Sequence, residues 1–363
     1  MHTNFFLSTK GIIFTGILIA LGAFLLQILG NPANMGICIV CFTRDTAGAI
    51  GLHRAEVVQY LRPEFIGIVW GAFISSLFSK EYNPVSGSAP LIRFLLGLIT
   101  ATSALVFLGC PWRMLFRIGG GDLNAIIALI GFIIGIGIGS IFIKKRHYTL
   151  GKNISLSKKS GLIFPIIMLG LLCLFIFFPE TETNYNGLLF YSKKGPGAMH
   201  APFLEALGIS FVLGFIGQRS HFCTMGTFRD IFLFREFHRF WGILALVITL
   251  FLLNNFANTF YMGFENQPIA HSNHIWNFLS MLTVGFAASL AGGCPGRQFF
   301  SAGQGNHDSA VYILGLIIGT ALAHNFNIAS SPNGLAPYSI SAVLIGLTCC
   351  FIIAFSYSKK KLD

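Results

Sequence analysis

Apolar runs of about 20 residues, the length a helix needs to cross roughly 30 Å of hydrocarbon, constrain this chain more than any other feature. They are predicted at about 11–29, 64–79, 91–108, 123–143 and 161–178, then at about 203–217, 240–260, 276–292, 309–327 and 338–357. With 54% of its 363 residues hydrophobic and 10% charged, and a mean hydropathy of +0.72, the chain is too apolar for a water-soluble domain. The fold class expected is an all-α integral membrane protein. The first run follows Met1 to Lys10 and shows no small-residue cleavage pattern after Leu29, so it is expected to be retained as a helix.

The spaces between these runs repeat. Cys38-Ile-Val-Cys41-Phe-Thr-Arg44-Asp45 returns as Cys223-Thr-Met-Gly226-Thr-Phe-Arg229-Asp230, and Gly109-Cys110-Pro111-Trp112-Arg113 returns as Gly293-Cys294-Pro295-Gly296-Arg297. By the same count His53-Arg54 matches His238-Arg239, and each Gly-Cys-Pro word is trailed by a glycine-spaced turn, at Gly119 to Asp122 and Gly303 to Asn306. One unit is therefore written twice. Five crossings per copy is an odd number, so the second copy must insert upside down relative to the first. The first repeat is assigned to residues 1–180, a connecting loop to 181–202, the second inverted repeat to 203–358 and a basic tail to 359–363.

The net charge of +11 sits mainly in short loops, where it sets orientation and does not call for nucleic acid. With both termini in the cytoplasm, the inner loops hold Lys144, Lys145, Arg146, Lys152, Lys158, Lys159, the Arg219 to Arg239 segment and Lys359 to Lys361. The outer loops 261–275 and 328–337 carry no Lys or Arg. Arg44, Arg54, Arg62, Arg113 and Arg117 break this pattern and need a reason other than orientation.

The repeated words are broken by Gly, Pro and Arg, and irregular backbone at membrane depth is tolerated only inside protein or along a cavity. They are read as four re-entrant segments with short half-helices. Pro111 and Pro295 suit the first helical position, which places Cys110 and Cys294 at helix N-termini. Such an end offers free N–H groups and partial positive charge to an anion, and an arginine three positions on adds to it. Arg44 with Asp45 and Arg229 with Asp230 are expected to be structural charge pairs. His53, Arg54, His238 and Arg239 are expected near the surfaces. Cys173, Cys349 and Cys350 lie in plain apolar runs and are expected as small core residues. No metal site is expected, since no zinc-type Cys/His spacing is present; no cofactor is implied, and nothing resembles an ATP-binding loop.

These words are similar to those of the YeeE/YedE family of membrane transporters for inorganic sulfur and selenium compounds. The resemblance runs from Asn31-Pro-Ala-Asn-Met-Gly-Ile-Cys38 through Gly-Gly-Cys294-Pro-Gly-Arg297 to Ala323-His-Asn-Phe326. The Asn31 to Arg44 stretch, Gly119-Gly-Gly-Asp122-Leu-Asn124 and Lys194-Gly-Pro-Gly-Ala-Met-His200 look most like the branch associated with selenium. The resemblance implies an hourglass-shaped, multi-pass protein of the cell inner membrane and no enzymatic activity. It implies a substrate path along Cys38, Cys110, Cys223 and Cys294, in which thiols hand a small sulfur or selenium anion across. Cys41, His221, Arg113 and Arg297 are additional candidates on that path. A small cytoplasmic sulfurtransferase-like carrier is a candidate partner at the basic Arg219 to Arg239 face.

Selenium import and thiosulfate uptake stay open together, because both guests favour the same donors. A reading of another class is a membrane thiol oxidoreductase using Cys38 and Cys41 as a redox pair.

Overall fold

The computed structural model describes residues 5–181, 183 and 185–358; the basic tail 359–363 lies outside them. Their fold is helical, with short two-residue strand pairs such as Val85–Ser86 on Ile154–Ser155. In the first half the helices are α1 (Thr9–Ile28), α2 (Ile39–Ala49), α3 (Pro63–Phe78), α4 (Pro90–Phe107), α5 (Pro111–Gly119), α6 (Leu123–Lys145) and α7 (Ile163–Phe177). The second half runs α8 (Phe203–Arg219), α9 (Thr224–Phe234), α10 (Phe240–Phe256), α11 (His274–Ala291), α12 (Pro295–Gly303), α13 (His307–Asn325) and α14 (Ser339–Ser356).

Long helices form at every predicted apolar run. The largest departure is α10, which stops at Phe256: Asn258 turns left-handed (φ 55°) and the Asn254 carbonyl takes the N–H groups of Thr259 and Phe260 instead, a polar helix ending. Six stretches among the described residues are long and apolar enough to cross a membrane: Thr9–Ile28, Pro90–Gly119, Leu123–Lys145, Ser160–Phe177, His274–Gly303 and Ser339–Ser356. Exposed Ile130, Ile134 and Ile141 on α6, and Ile345, Ile352 and Phe355 on α14, give these helices an outward apolar face that suits lipid. The chain is an all-α, multi-pass membrane protein.

Glycine determines how the long helices meet. A methyl group at Gly135 of α6 would overlap the Leu282 carbonyl of α11, one at Gly285 the Phe132 carbonyl in return, and one at Gly315 of α13 the Phe94 carbonyl of α4. Gly71 of α3 and Gly214 of α8 clasp the Phe211 and Ile68 carbonyls in the same way. Backbone therefore lies on backbone, the packing that small residues allow where no hydrophobic effect drives helices together. Within this frame α6 lies on α11, α4 on α13, α3 on α8 and α1 on α10. The last helix of each series departs from the pattern, since α7 packs on α3 whereas α14 packs on α4 and α11.

The remaining helices are short. An 11-residue helix such as α2 or α9 is about 16 Å long, half of a bilayer core of roughly 30 Å. Every residue of α2 is buried, as is all of α5 except Ile118.

Candidate functional site

The four motif cysteines occupy one structural position each time. Cys38, Cys110, Cys223 and Cys294 are the N-cap residues of α2, α5, α9 and α12. Pro111 and Pro295 open their helices as the sequence requires, because proline at the first position gives up an N–H that has no partner there. That Cys38 and Cys223 cap helices is seen only in the structure: each lacks a following proline, yet its Sγ accepts from the N–H three residues on, Cys41 at 3.4 Å and Gly226 at 3.2 Å. A sulfur thus does the work usually given to a Ser or Asp oxygen.

The caps meet in two clusters. In the first, Cys38 Sγ lies 2.9 Å from Cys41 Sγ, and the Cys110 N–H points at Cys38 Sγ from 3.5 Å. Arg113, fully buried, approaches Cys41 Sγ at 3.9 Å. Its guanidinium is otherwise held by backbone carbonyls, those of Leu108, Pro268 (3.3 Å) and Ile269 (3.1 Å). In the second cluster Cys223 Sγ and Cys294 Sγ are 3.7 Å apart, and Gly226 stands where the first has Cys41. Arg297 donates to Gln218 Oε1 at 3.3 Å, Gln218 donates to Glu81 Oε2 at 3.2 Å, and Glu81 pairs with His221 at 3.1 Å. The His221 and Glu81 side chains are 32% and 26% exposed, so this cluster reaches the surface through a polar chain.

Charged forks lock the short helices. Asp45 binds Arg44 at 2.7 Å and Arg62 at 2.8 Å; Asp230 binds Arg229 at 2.9 Å and Arg239 at 3.0 Å. Arg62 and Arg239 each immediately precede a long helix, α3 and α10. Sequence counting matched Arg239 with Arg54 instead, because the loop after α2 is longer than that after α9. Arg62 also ties in the words around Asn31 and Lys194, donating to the carbonyls of Pro196 (2.8 Å) and Met199 (3.1 Å), while Asn31 Oδ1 accepts from Ala201 N–H at 2.9 Å.

Several expectations are corrected. His53 is buried, not at a surface: it bonds the Arg44 carbonyl at 3.0 Å and stacks on His324 at 4.7 Å, closing the C-terminal end of α2. Arg239 is spent on Asp230. Arg54 does reach outward, over the Phe190 ring at 3.9 Å. Cys350 is buried, but Cys349 is half-buried and Cys173 exposed on α7, since an apolar thiol facing lipid loses nothing by pointing away from the core. Glu81, Gln218 and Trp112 were not singled out by sequence reasoning, and Arg62 was marked only as an arginine whose place orientation does not explain, without its partner Asp45. For Arg62 the position just before a long apolar run was the available signal.

A frame of glycine-packed helices holding cysteine-capped half-length helices in its interior defines a membrane protein built around buried thiols. Residues 219–354 match the profile of a family described as sulphur transport. The matched stretch contains Cys223, Cys294, Arg229, Asp230 and Arg297. A search of curated proteins finds no match.

Proposed function

We propose that this chain imports a small, soft sulfur or selenium anion, passing it between the two thiol clusters. The observation that carries the reading is the cysteine at the N-cap of every short helix. Each such end supplies unpaired N–H groups and partial positive charge, and the thiol beside it is a polarizable donor to a sulfur or selenium atom. Arginines near both clusters raise the anion's affinity without a metal. The sulphur transport profile over residues 219–354 supports sulfur compounds as the class; the words around Asn31, Gly119 and Lys194 support selenium as the member.

In this reading the two series of helices are inverted repeats, the short helices re-enter from opposite faces, and the clusters lie on either side of the membrane centre, as in other inverted-repeat transporters. Both termini face the cytoplasm of the inner membrane, placing Lys144 to Lys159 inside. The Arg219 to Arg239 face is then available to a small cytoplasmic sulfur carrier.

The 2.9 Å contact of Cys38 with Cys41 favours a second reading, a membrane thiol oxidoreductase. The other adjacent thiols, Cys349 and Cys350, are on α14, which packs on α4 and α11 and not on α2. A dithiol relay is therefore the weaker account.

Uptake is the test, in a host lacking its own sulfur-anion importers and offered thiosulfate and selenite separately. Cys110→Ala and Cys294→Ala are expected to abolish it, whereas Cys41→Ser should retain it. Normal uptake by both alanine variants at equal expression overturns the relay. Loss in Cys41→Ser, with a dithiol-to-disulfide change on turnover, moves the assignment to redox chemistry.

A further inference from the structure

The duplicated word Gly-Cys-Pro-x-Arg differs between its copies in one residue, Trp112 in the first and Gly296 in the second. Both occupy the second position of their short helices, two residues beyond a capping cysteine. Trp112 is 1% exposed and heads the fully buried side chains by volume. Its ring stands edge-on to Phe222 and tilted against Phe300, each at 5.9 Å. A Cβ on Gly296 would lie 2.9 Å from its Cε2, 3.0 Å from Cζ2 and 3.1 Å from Nε1. The bulk supplied by one copy thus fills the notch left by the other. Phe222 adjoins Cys223, Gly296 and Phe300 share α12 with its cap Cys294, and Trp112 itself follows Cys110 by two residues, so the indole is in contact with residues flanking the second cluster while its own helix is capped from the first.

The indole Nε1 is buried and has no hydrogen-bond partner among the described residues. A dry, unmatched N–H costs more than a made bond returns, and the tryptophan N–H of a folded protein usually finds an acceptor. Its rim is the positive edge of the ring and its face the negative one. An anion moving between the clusters meets a donor at the rim and repulsion at the face.

We infer that Trp112 is the gate and central donor of the path, closing it between turnovers and offering its indole N–H to the passing anion. The inference rests on the transport reading above. A neutral donor suits the midpoint of a route, where binding must be weak enough to let the guest leave. Arginine there would hold an anion more firmly. The bare Cα of Gly296 is what lets the ring turn aside without displacing α12.

The test uses the purified full chain in phosphatidylcholine vesicles, with labelled thiosulfate and selenite uptake and, separately, iodide leak read by an iodide-quenched dye. Trp112→Phe keeps most of the ring and removes the donor; uptake is expected to fall about tenfold, the factor for losing one hydrogen bond to an anion, with no added leak. Trp112→Ala is expected to raise iodide leak about tenfold above both the wild type and Trp241→Ala, an exposed-tryptophan control, as removing the plug from a dry constriction should. Trp112→Leu replaces it if the alanine variant aggregates. Gly296→Ala, which crowds the ring, is expected to cut uptake without leak. Wild-type rates in Trp112→Phe overturn the donor role, and vesicles as tight as the wild type in Trp112→Ala or Trp112→Leu overturn the gate. If the wild type takes up neither anion, the transport reading fails and the iodide arm alone decides whether Trp112 closes a path.

Discussion

The two thiol clusters share a plan and differ in how far they are sealed. In the first half three thiols are packed together, α2 is buried along its whole length, and Arg113 is tied to three backbone carbonyls. The second half has two thiols at the equivalent caps, and Arg297 leads through Gln218 and Glu81 to the half-exposed His221. The charged forks follow suit: the arginine side chains on Asp45 are 4% and 0% exposed, those on Asp230 28% each. A repeated motif is thus sealed on one side and reaches the surface on the other.

The strongest way to break this comparison is to remove the two aspartates. Asp45→Ala leaves two buried arginines without their partner, which costs about 3–5 kcal/mol and should lower the melting temperature the most. Asp230→Ala leaves arginines that water can reach and should cost about 1 kcal/mol. Thermal melting in detergent reads both, and equal losses would contradict the division. Next in size is thiol access. In single-cysteine variants Cys223 should react with a small charged methanethiosulfonate about tenfold faster than Cys38, since reaction follows exposure and thiolate character; mass spectrometry of the adducts checks it. The smallest effect is expected from exchanging the odd cysteine. A Cβ at Gly226 would lie 3.3 Å from Cys223 Cβ and 3.4 Å from its Sγ, a fit needing only slight adjustment. Cys41→Gly combined with Gly226→Cys should therefore fold and shift the ratio of selenite to thiosulfate uptake by about threefold, less than 1 kcal/mol; an unchanged ratio would remove Cys41 from selectivity.

Much of this was legible in the sequence, for identifiable reasons. Apolar runs in a membrane protein mark helices directly, because each must satisfy its own backbone. Proline marked α5 and α12. Nothing comparable marked α2 and α9, whose caps are sulfurs in place of the usual oxygen-bearing residues. The correspondence of Arg62 with Arg239 was missed because matching by constant offset fails when one loop is longer; the ion pairs to Asp45 and Asp230 restore it. His53 and Cys173 were misjudged in opposite directions. A polar ring can be buried where a backbone carbonyl receives it, and an apolar thiol can face outward where the solvent is lipid. Trp112 and Gly296 were visible as a mismatch between copies, but only the fold shows that the mismatch is a contact.

The glycine contacts that clasp α6 to α11, α4 to α13 and α3 to α8 have a kinetic meaning. Carriers that rock one half against the other are timed by collective motions of microseconds to milliseconds or slower, and they feel the viscosity of the surrounding lipid. Helices packed backbone to backbone favour the proposed relay with side chains as the moving parts, and those reorient far sooner. On the proposed relay, turnover in such a wall would be set by the passage of the guest from thiol to thiol, so stiffening the membrane should leave the rate almost untouched.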